Sequence, residues 1–268
     1  MLRLSLITPT LNQSRFLRQT IESVLGQQGP IDLDYRVVDG GSTDDTPEIL
    51  EAYRGRLTYS SQPDNGQVDA INQGLAVSTG EVVGWLNSDD LLLPGALAQV
   101  AEAFQTYPET EWVHGRCSII DESGREIQHW ISRYKHARSR HHSWKRLLLE
   151  NYVSQPTAFW RRRAWLEVGP LDATVPLAFD YDLWLRLARR GDPIYLEAPL
   201  AAFRRHPLSK SGQGYAEMFR QEYRIATRYA ADRPALLRAK RRRMAAFSAV
   251  YRALEWVRPR RSFSSIRA

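Results

Sequence analysis

Residues 82–90 read VVGWLNSDD and join two kinds of sequence. The first five residues form a short apolar run, rich in β-branched and aromatic side chains, which predicts a buried strand. Adjacent aspartates follow it, and two carboxylates at the end of a buried strand repel each other and lose solvation. Such a pair is typical of a site for a hard divalent cation, which prefers oxygen ligands. The alternative is that Asp90 caps a helix beginning at Pro94, and these residues alone do not decide between the two.

Around this stretch, strands alternate with helices through the first half of the chain. The pattern predicts strands at 2–8, 35–38, 57–60 and 81–86, and helices at 14–25, from Thr46 onward, at 68–77 and at 94–107. This alternation indicates parallel βαβ units and therefore an α/β sheet.

The second half of the chain is less regular. We predict strands at 112–120, 126–131, 158–160, 194–196 and 201–204, and helices at 180–190 and from 215 onward. Residues 132–143 are basic, rich in histidine and without periodicity, which predicts an exposed loop. The histidines of this segment lack the ligand spacing of a zinc site.

The charge of the chain is unevenly distributed. The 268 residues carry a formal net charge of +7, yet residues 204–268 hold 17 Lys and Arg against 4 Asp and Glu. The densest basic runs, at 240–243 and 258–261, could bind anionic lipid, an acidic polymer or nucleic acid. The alternative is a solvated helix face.

Cysteine and apolar content bear on the cellular location. The single Cys117 excludes an intrachain disulfide and suits a reducing compartment. No segment approaches the roughly 20 apolar residues of a membrane span, and the first residues are too short an apolar run for a signal peptide. We therefore expect a cytoplasmic protein, peripheral if it meets a membrane.

Polar residues follow three of the predicted strands, namely Thr8-Pro9, Asp39 and residues 87–90. Because ligands of an open parallel sheet bind beyond the carboxyl ends of its strands, these groups indicate one ligand site. The chain lacks GxxxxGK[ST], and no GxGxxG follows the first strand, which argues against P-loop and dinucleotide-binding sites. A metal ion between carboxylate and diphosphate could hold a nucleotide instead.

An ordered series of short motifs resembles the inverting glycosyltransferases of family 2, which have the GT-A fold. The motifs are TPTLN at 8–12, VVDGGSTDDT at 37–46, DNG at 64–66, DAINQG at 69–74, TGE at 79–81, LNSDD at 86–90, QP at 155–156, DYDLWLR at 180–186 and RRH at 204–206. The resemblance implies a Rossmann-like, mostly parallel sheet flanked by helices. It implies a domain over 1–211, with a nucleotide-sugar half at about 1–115 and an acceptor and catalytic half at about 116–211. Residues 212–268 would form a basic helical C-terminal extension.

The resemblance also implies a set of donor-binding residues. The nucleotide-sugar would contact Thr8, Pro9, Asp39, Asp69, Asn87 and Ser88. Physically, Asp39 can accept hydrogen bonds from a pyrimidine or from ribose hydroxyls. The alternatives are that Asp39 is a turn residue before Gly40 and that Asp69 is a carboxylate of a first helical turn.

The metal would be Mn²⁺ or Mg²⁺. Asn87-Ser88-Asp89 occupies the place of the family's Asp-x-Asp motif, with Asn in the first position. Asp89 would then be the main ligand, assisted by Asp90 and by His206, whose imidazole suits Mn²⁺. The alternative for His206 is a surface histidine.

Asp180 is the implied catalytic base, which would take the proton of the acceptor hydroxyl. Asp182 is interpreted as a capping or salt-bridge residue of the same helix. Gln155 and Trp184 would line the acceptor or sugar pocket, although the helical spacing of Trp184 also fits core packing.

The implied function is transfer of a sugar from a nucleotide-diphosphate sugar, with UDP-sugars favoured, to a glycan or lipid-linked saccharide. One alternative is a sugar-phosphate nucleotidyltransferase, but its Gly-rich loop is replaced by PTLNQ at 9–13. The other is a non-catalytic polyanion-binding protein, although nucleic acid is the least expected partner.

Overall fold

The computed structural model describes residues 1–207, 209 and 215–256, and eight strands in these ranges form one sheet. The strands are β1 (Leu2–Thr10), β2 (Ile31–Asp39), β3 (Thr58–Ser61), β4 (Val82–Trp85), β5 (Leu91–Leu92), β6 (Trp112–Ile120), β7 (Phe159–Arg161) and β8 (Ile194–Arg204). The helices are α1 (Ser14–Leu25), α2 (Thr46–Ala52), α3 (Gln67–Ala76), α4 (Ala96–Thr106), α5 (His129–Ser139), α6 (Trp144–Leu149), α7 (Arg162–Val168), α8 (Phe179–Leu187), α9 (Tyr215–Ala230) and α10 (Pro234–Trp256).

The sheet has the order β3-β2-β1-β4-β7-β6-β8-β5. Strands β3, β2, β1 and β4 run parallel, as the alternation of strands and helices predicts. Strand β7 is antiparallel to both of its neighbours, while β6 and β8 are parallel to each other. The α/β fold is therefore confirmed, with a parallel half and a mixed half.

Helices cover both faces of the sheet, because the central strands are apolar on both sides. Successive residues of a strand point to opposite faces, so Leu6 and Ile7 lie in different cores. The Leu6 core is filled by α1, α2 and α4, and the Ile7 core by α3, α6, α8 and α9.

A stack of tryptophans joins α8 to the sheet. The ring of Trp184 lies 5.7 Å from Trp85 at an interplanar angle of 4° and 5.8 Å from Trp112 at 1°. Trp160 meets Trp184 edge-on at 5.8 Å. Trp184 is fully buried, so its position supports core packing and argues against a place in the sugar pocket.

The described C-terminal helices pack onto the domain. Ile225, Ala226 and Ala230 of α9 are fully buried in the Ile7 core. In α10, Lys240 is fully buried although it opens the basic run at 240–243. The solvated-face interpretation therefore fails at Lys240, and the run at 258–261 lies outside the described residues. The division at residue 211 stays a prediction, because α9 shares the core of the preceding domain.

Three sequence predictions for the second half are wrong. Residues 129–139 form helix α5, where we predict first a strand and then an exposed loop. This helix is held by polar contacts that hydrophobic periodicity does not reveal, including those of Tyr134 with Glu150 and of His136 with Tyr195. The two closing strands are one, β8, which pairs irregularly with β6 near Arg116.

Within the described ranges, no helix combines the length and the apolar character needed to cross a membrane.

Candidate active site

The carboxyl ends of β1, β2 and β4 meet at one edge of the sheet. The register pairs Thr10 with Asp39 and Ile7 with Trp85, which places the loops after all three strands side by side. The polar residues that follow these strands therefore converge as the sequence predicts.

Asp39 is fully buried at the end of β2 and organises the loop that follows. Its carboxylate accepts hydrogen bonds from the backbone N–H and the hydroxyl of Ser42, and from the hydroxyl of Ser61 at 2.6 Å. Gly41 has a φ of +84°, and a Cβ on Gly40 would lie 2.9 Å from the carboxylate of Asp64. The turn role of Asp39 is thus realised, and its contact with a nucleotide stays a prediction.

Three other predicted donor residues lie at or near this edge. Thr8 is fully buried, and its Oγ1 lies 3.0 Å from the Tyr35 hydroxyl. Pro9 pairs with Val38 inside the sheet. In the first turn of α3, Asp69 accepts hydrogen bonds from both nitrogens of Asn65, which lower its pKa. The donor contacts of all three stay predictions.

Asp89 and His206 form a close pair between the ends of β4 and β8. The Asp89 carboxylate lies 3.0 Å from Nε2 of His206, whose side chain is 3% exposed. The His206 ring packs against Phe16 at 5.1 Å, so it is a buried histidine rather than a surface one. A carboxylate oxygen and an imidazole nitrogen suit Mn²⁺. No group of three or more metal-binding side chains occurs among the described residues, so the remaining ligands of an ion would have to come from elsewhere.

Asp90 faces away from this pair and into the protein. Its fully buried carboxylate accepts the backbone N–H of Arg204 at 2.8 Å and the Nδ2–H of Asn87 at 3.2 Å. Burial, and then the nearby charge of Asp89, raise the pKa of Asp90 well above its usual range. These contacts argue against Asp90 as a metal ligand, because protein donors already occupy both oxygens.

Arg204 is a structural residue of the site whose role the sequence did not reveal. Its guanidinium donates to the carbonyl of Asp89 and to the side chain of Gln19, both at 2.8 Å, and lies 4.7 Å above the Phe16 ring. Thr20 also holds the segment after β4, because its hydroxyl donates to the carbonyls of Ser88 and Asp90. The sequence signal that could have revealed this role is the position of Arg204 two residues before His206.

Asn87 connects the start of α3 to the segment before β7. Its Oδ1 accepts from Nε2 of Gln67 at 2.7 Å, and its Nδ2 donates to Oε1 of Gln155 at 3.1 Å. Gln155 also donates to the carbonyl of Trp85 at 2.8 Å. Gln155 therefore lies at the site, whereas its contact with a sugar stays a prediction.

Asp180 lies in the first turn of α8 and is partly exposed. One oxygen accepts the backbone N–H of Tyr181 at 2.7 Å, and the other lies 3.5 Å from Nδ2 of Asn151. Burial raises the pKa of Asp180 to about 6; the charge of Glu222 also raises it, and that of Lys135 lowers it. A carboxylate with this pKa is suited to general-base catalysis near neutral pH.

Asp182 has the structural role that the sequence predicts. It is buried, forms an ion pair with Arg186 at 2.9 Å and accepts a hydrogen bond from Tyr229 at 2.9 Å.

The helix that carries Asp180 begins next to the carboxyl end of β4. Phe179 packs against Trp85 at 5.7 Å, so the first turn of α8 adjoins the carboxyl end of β4. The carboxyl end of β4 is thus followed by the Asp89–His206 pair and is contacted by the helix that carries Asp180, whose carboxyl has a raised pKa.

Comparisons with known proteins identify the class of this fold. The structure resembles that of residues 1–349 of TarS from S. aureus in complex with UDP-GlcNAc, with a TM-score of 0.67 and 19% identity over 83% of this chain and 65% of that one. It also resembles the mannosyltransferase PcManGT from Pyrobaculum calidifontis in complex with GDP-Man and Mn²⁺, with a TM-score of 0.61 and 18% identity over 96% and 81% of the chains. The fold is therefore the GT-A fold of glycosyltransferases.

The family follows from the sequence. Residues 5–169 match the model of glycosyl transferase family 2, and the chain belongs to that family. This membership confirms the resemblance and disfavours a nucleotidyltransferase or a polyanion-binding protein.

Among curated relatives, the chain is 34% identical to an uncharacterized glycosyltransferase of Nostoc sp. over 47% of its own length and 40% of that protein. It is 28% identical to chondroitin synthase of Escherichia coli over 70% of its own length and 26% of the synthase. The chain thus spans less than half the length of these two relatives. An uncharacterized glycosyltransferase of Mycobacterium tuberculosis matches at 27% identity over 74% of both chains.

The contacts of Asn87 generate a prediction about its replacement by the family's aspartate. Asn87→Asp would remove two donated hydrogen bonds and place a second carboxylate beside buried Asp90. We expect it to lower the free energy of unfolding by roughly 1–3 kcal/mol without metal, and Mn²⁺ to restore part of the loss. Urea unfolding with and without Mn²⁺ measures both effects.

Asn65→Asp is the matched control, since Asn65 also donates to a carboxylate, that of Asp69, but is itself exposed. Its cost should stay within about 0.5 kcal/mol. Equal costs for the two variants would contradict the explanation for Asn87.

Proposed function

We propose that the protein is a metal-dependent, inverting glycosyltransferase that moves a sugar from a nucleotide-diphosphate sugar to a hydroxyl group. The observation that carries the proposal is that the carboxyl end of β4 both leads to the Asp89–His206 pair and contacts Phe179 in the first turn of α8, which carries Asp180. Membership of family 2 supports the same reaction class.

The donor is proposed to bind over the carboxyl ends of β1 and β2. Thr8, Pro9, Asp39, Asp69, Asn87 and Ser88 are the residues proposed to contact it. The structural neighbours were solved with UDP-GlcNAc, with UDP and with GDP-Man, which supports a nucleotide-sugar donor. We favour a UDP-sugar, and other bases stay open.

Asp89 and His206 are proposed to hold Mn²⁺ or Mg²⁺. The bound ion would supply positive charge that stabilises the departing diphosphate. Their 3.0 Å contact places a carboxylate oxygen and an imidazole nitrogen beside each other, and Arg204 fixes Asp89 through its main-chain carbonyl.

Asp180 is proposed to act as the general base. It would accept the proton of the acceptor hydroxyl while that oxygen bonds to the anomeric carbon and the bond from that carbon to the diphosphate breaks. One displacement from the opposite side inverts the anomeric centre. Because the pKa of Asp180 is about 6, the group is mostly ionised at neutral pH and can accept this proton.

The acceptor is proposed to be a glycan or a lipid-linked saccharide. A lipid-linked acceptor would require contact with an anionic membrane surface, from the cytoplasmic side. Arg241 and Arg242 of α10 are exposed and belong to the densest basic run of the described tail, so we propose them for this contact.

Nucleotide binding tests the proposal directly. A thermal-shift panel of UDP, GDP, CDP and ADP, each with and without Mn²⁺, should give a stabilisation that is specific for one base and depends on the metal. Binding to the folded state alone raises stability by about 2.7 kcal/mol at a hundredfold excess over Kd. Absence of a shift with every nucleotide would contradict the donor assignment.

Asp180→Asn should keep nucleotide binding and lower the transfer rate by roughly 10²–10⁴-fold. In the native protein, kcat/KM should fall as the pH drops through about 6, because the base becomes protonated. Because the pKa of Asp180 is higher in the folded than in the unfolded chain, protonation of its carboxyl stabilises the fold. This contribution is fully present below the pKa that Asp180 has in the unfolded chain, and it is lost as the pH rises through about 6. Asp180→Asn should therefore not lower the Tm at pH 7.5.

Asp182→Asn is the control on the same helix. It weakens the contacts with Arg186 and Tyr229 and should lower the Tm while transfer persists. Transfer retained by Asp180→Asn would remove Asp180 as the base.

Membrane contact is tested by replacing Arg241 and Arg242. Arg241→Gln/Arg242→Gln should reduce sedimentation with anionic vesicles and leave neutral vesicles unaffected, because the attraction is electrostatic. Arg54→Gln/Arg56→Gln removes two exposed arginines elsewhere and serves as the control. Unchanged sedimentation of the first variant would count against this surface. Truncation of the basic tail at residue 236 would not test membrane contact alone, because Leu236 and Leu237 pack against the core.

A further inference from the structure

A buried ionic cluster lies behind the first turn of α8. Lys240 of α10 is fully buried, and its Nζ donates to the Tyr181 hydroxyl at 3.0 Å and to Oε2 of Glu222 at 3.1 Å. The ammonium also lies 4.4 Å from the centre of the Tyr181 ring. The Tyr181 hydroxyl donates in turn to the carbonyl of Leu148 at 2.6 Å. Helices α6, α8, α9 and α10 thus meet at this cluster.

This cluster is costly to build, since two charges must leave water together. A buried lysine without a partner would be strongly destabilising, and even a paired one gains little over apolar packing. Glu222 is 6% exposed, so neither charge of the pair is solvated. The proposed reaction leaves Lys240 and Glu222 without a role.

The cluster is connected to Asp180 by the chain itself. Tyr181 follows Asp180, and its backbone N–H donates to the Asp180 carboxylate at 2.7 Å. Fixing the Tyr181 side chain therefore fixes the donor that orients Asp180. Displacement of α10 would remove the contacts of Lys240 with the hydroxyl and the ring of Tyr181 and so loosen the first turn of α8.

The cluster also contributes charge. The groups that act on Asp180 are Glu222 from α9, Lys135 from α5, Asn151 from the segment after α6, and the Tyr181 backbone. Glu222 is the one carboxylate of this set, and Lys240 is its ion-pair partner.

We propose that Lys240 and Glu222 are positioning residues, which hold the first turn of α8 through Tyr181 and set the orientation and electrostatic surroundings of Asp180. The inference rests on the proposed function, in which Asp180 is the base. It makes the basic C-terminal helix a part of the catalytic unit.

The first test is Glu222→Gln, which keeps a hydrogen-bond acceptor but removes the negative charge. The acid limb of the kcat/KM profile should move to lower pH by roughly 0.5, because repulsion of the Asp180 carboxylate is relieved. Glu217→Gln is the control, since Glu217 lies on the same helix and pairs at the surface with Arg220. A limb that stays in place, with only the Tm altered, would show a merely structural role and overturn the inference.

The second test is Lys240→Met, which leaves Glu222 buried without its counter-charge. We expect a lower Tm and a roughly tenfold or larger fall in kcat, with the Kd for the nucleotide unchanged. Arg238→Met is the matched control, because Arg238 is an exposed basic residue of the same helix that lies outside the proposed membrane contact. A kcat equal to that of the native protein would contradict the role of Lys240.

A double variant keeps the inference testable if Lys240→Met does not fold. Glu222→Gln/Lys240→Met removes both buried charges, a change that proteins often tolerate. Its acid limb should stay at the lower pH of Glu222→Gln. A return of the limb to the native pH would overturn the electrostatic part of the inference.

Titration of Asp180, followed through its carboxyl carbon by ¹³C NMR, distinguishes the role of Asp180 as the base from the action of Glu222 on Asp180. Transfer retained by Asp180→Asn refutes the proposed base, yet the titration still reports whether Glu222 acts on Asp180. If Asp180→Asn is inactive while Glu222→Gln moves neither the titration nor the acid limb, the positioning inference alone fails.

Discussion

The arrangement of the site depends on one hydrogen bond between a buried carboxylate and a strand end. The carboxylate of Asp90 accepts the backbone N–H of Arg204 and so joins the segment after β4 to the end of β8. Asp89 precedes Asp90, and His206 lies two residues beyond Arg204. The same hydrogen bond therefore brings Asp89 and His206 face to face. The guanidinium of Arg204 strengthens the junction through the carbonyl of Asp89. The two adjacent aspartates therefore have different roles: Asp90 holds the site together, and Asp89 faces His206.

Asn87 acquires a physical explanation from this division. An aspartate at position 87 would place its carboxylate beside the fully buried carboxylate of Asp90. The amide of Asn87 instead donates hydrogen bonds to both Asp90 and Gln155. The departure from the family motif thus joins Gln67 of α3 to Gln155, which lies before β7, by neutral hydrogen bonds. It also leaves fewer charged groups for the proposed ion, whose remaining ligands would have to include the diphosphate of the donor.

The sequence predicts what local pattern determines and fails where distant partners decide. Strands β1 and β4 and the polar residues after them follow from apolar runs and sheet geometry, so the site's location was predictable. Helix α5 was missed because its contacts are polar, and the contact of Asp90 depends on a residue 114 positions away in the chain. Trp184 illustrates an ambiguity that only burial resolves, because its helical position fits both a pocket and a core. The role of Lys240 was hidden inside a run of basic residues that looks solvated.

The tryptophan stack gives the protein an optical reporter of its own. Three buried indoles, Trp85, Trp112 and Trp184, lie nearly parallel in adjacent layers, a geometry in which their electronic transitions couple. The middle ring belongs to the helix that carries Asp180, and the outer two belong to the sheet. A shift of this helix by even a fraction of a ring width would change the exciton signal in the near-ultraviolet circular dichroism. Movements of α8 relative to the sheet are thereby recorded in the spectrum of the native chain, without a label.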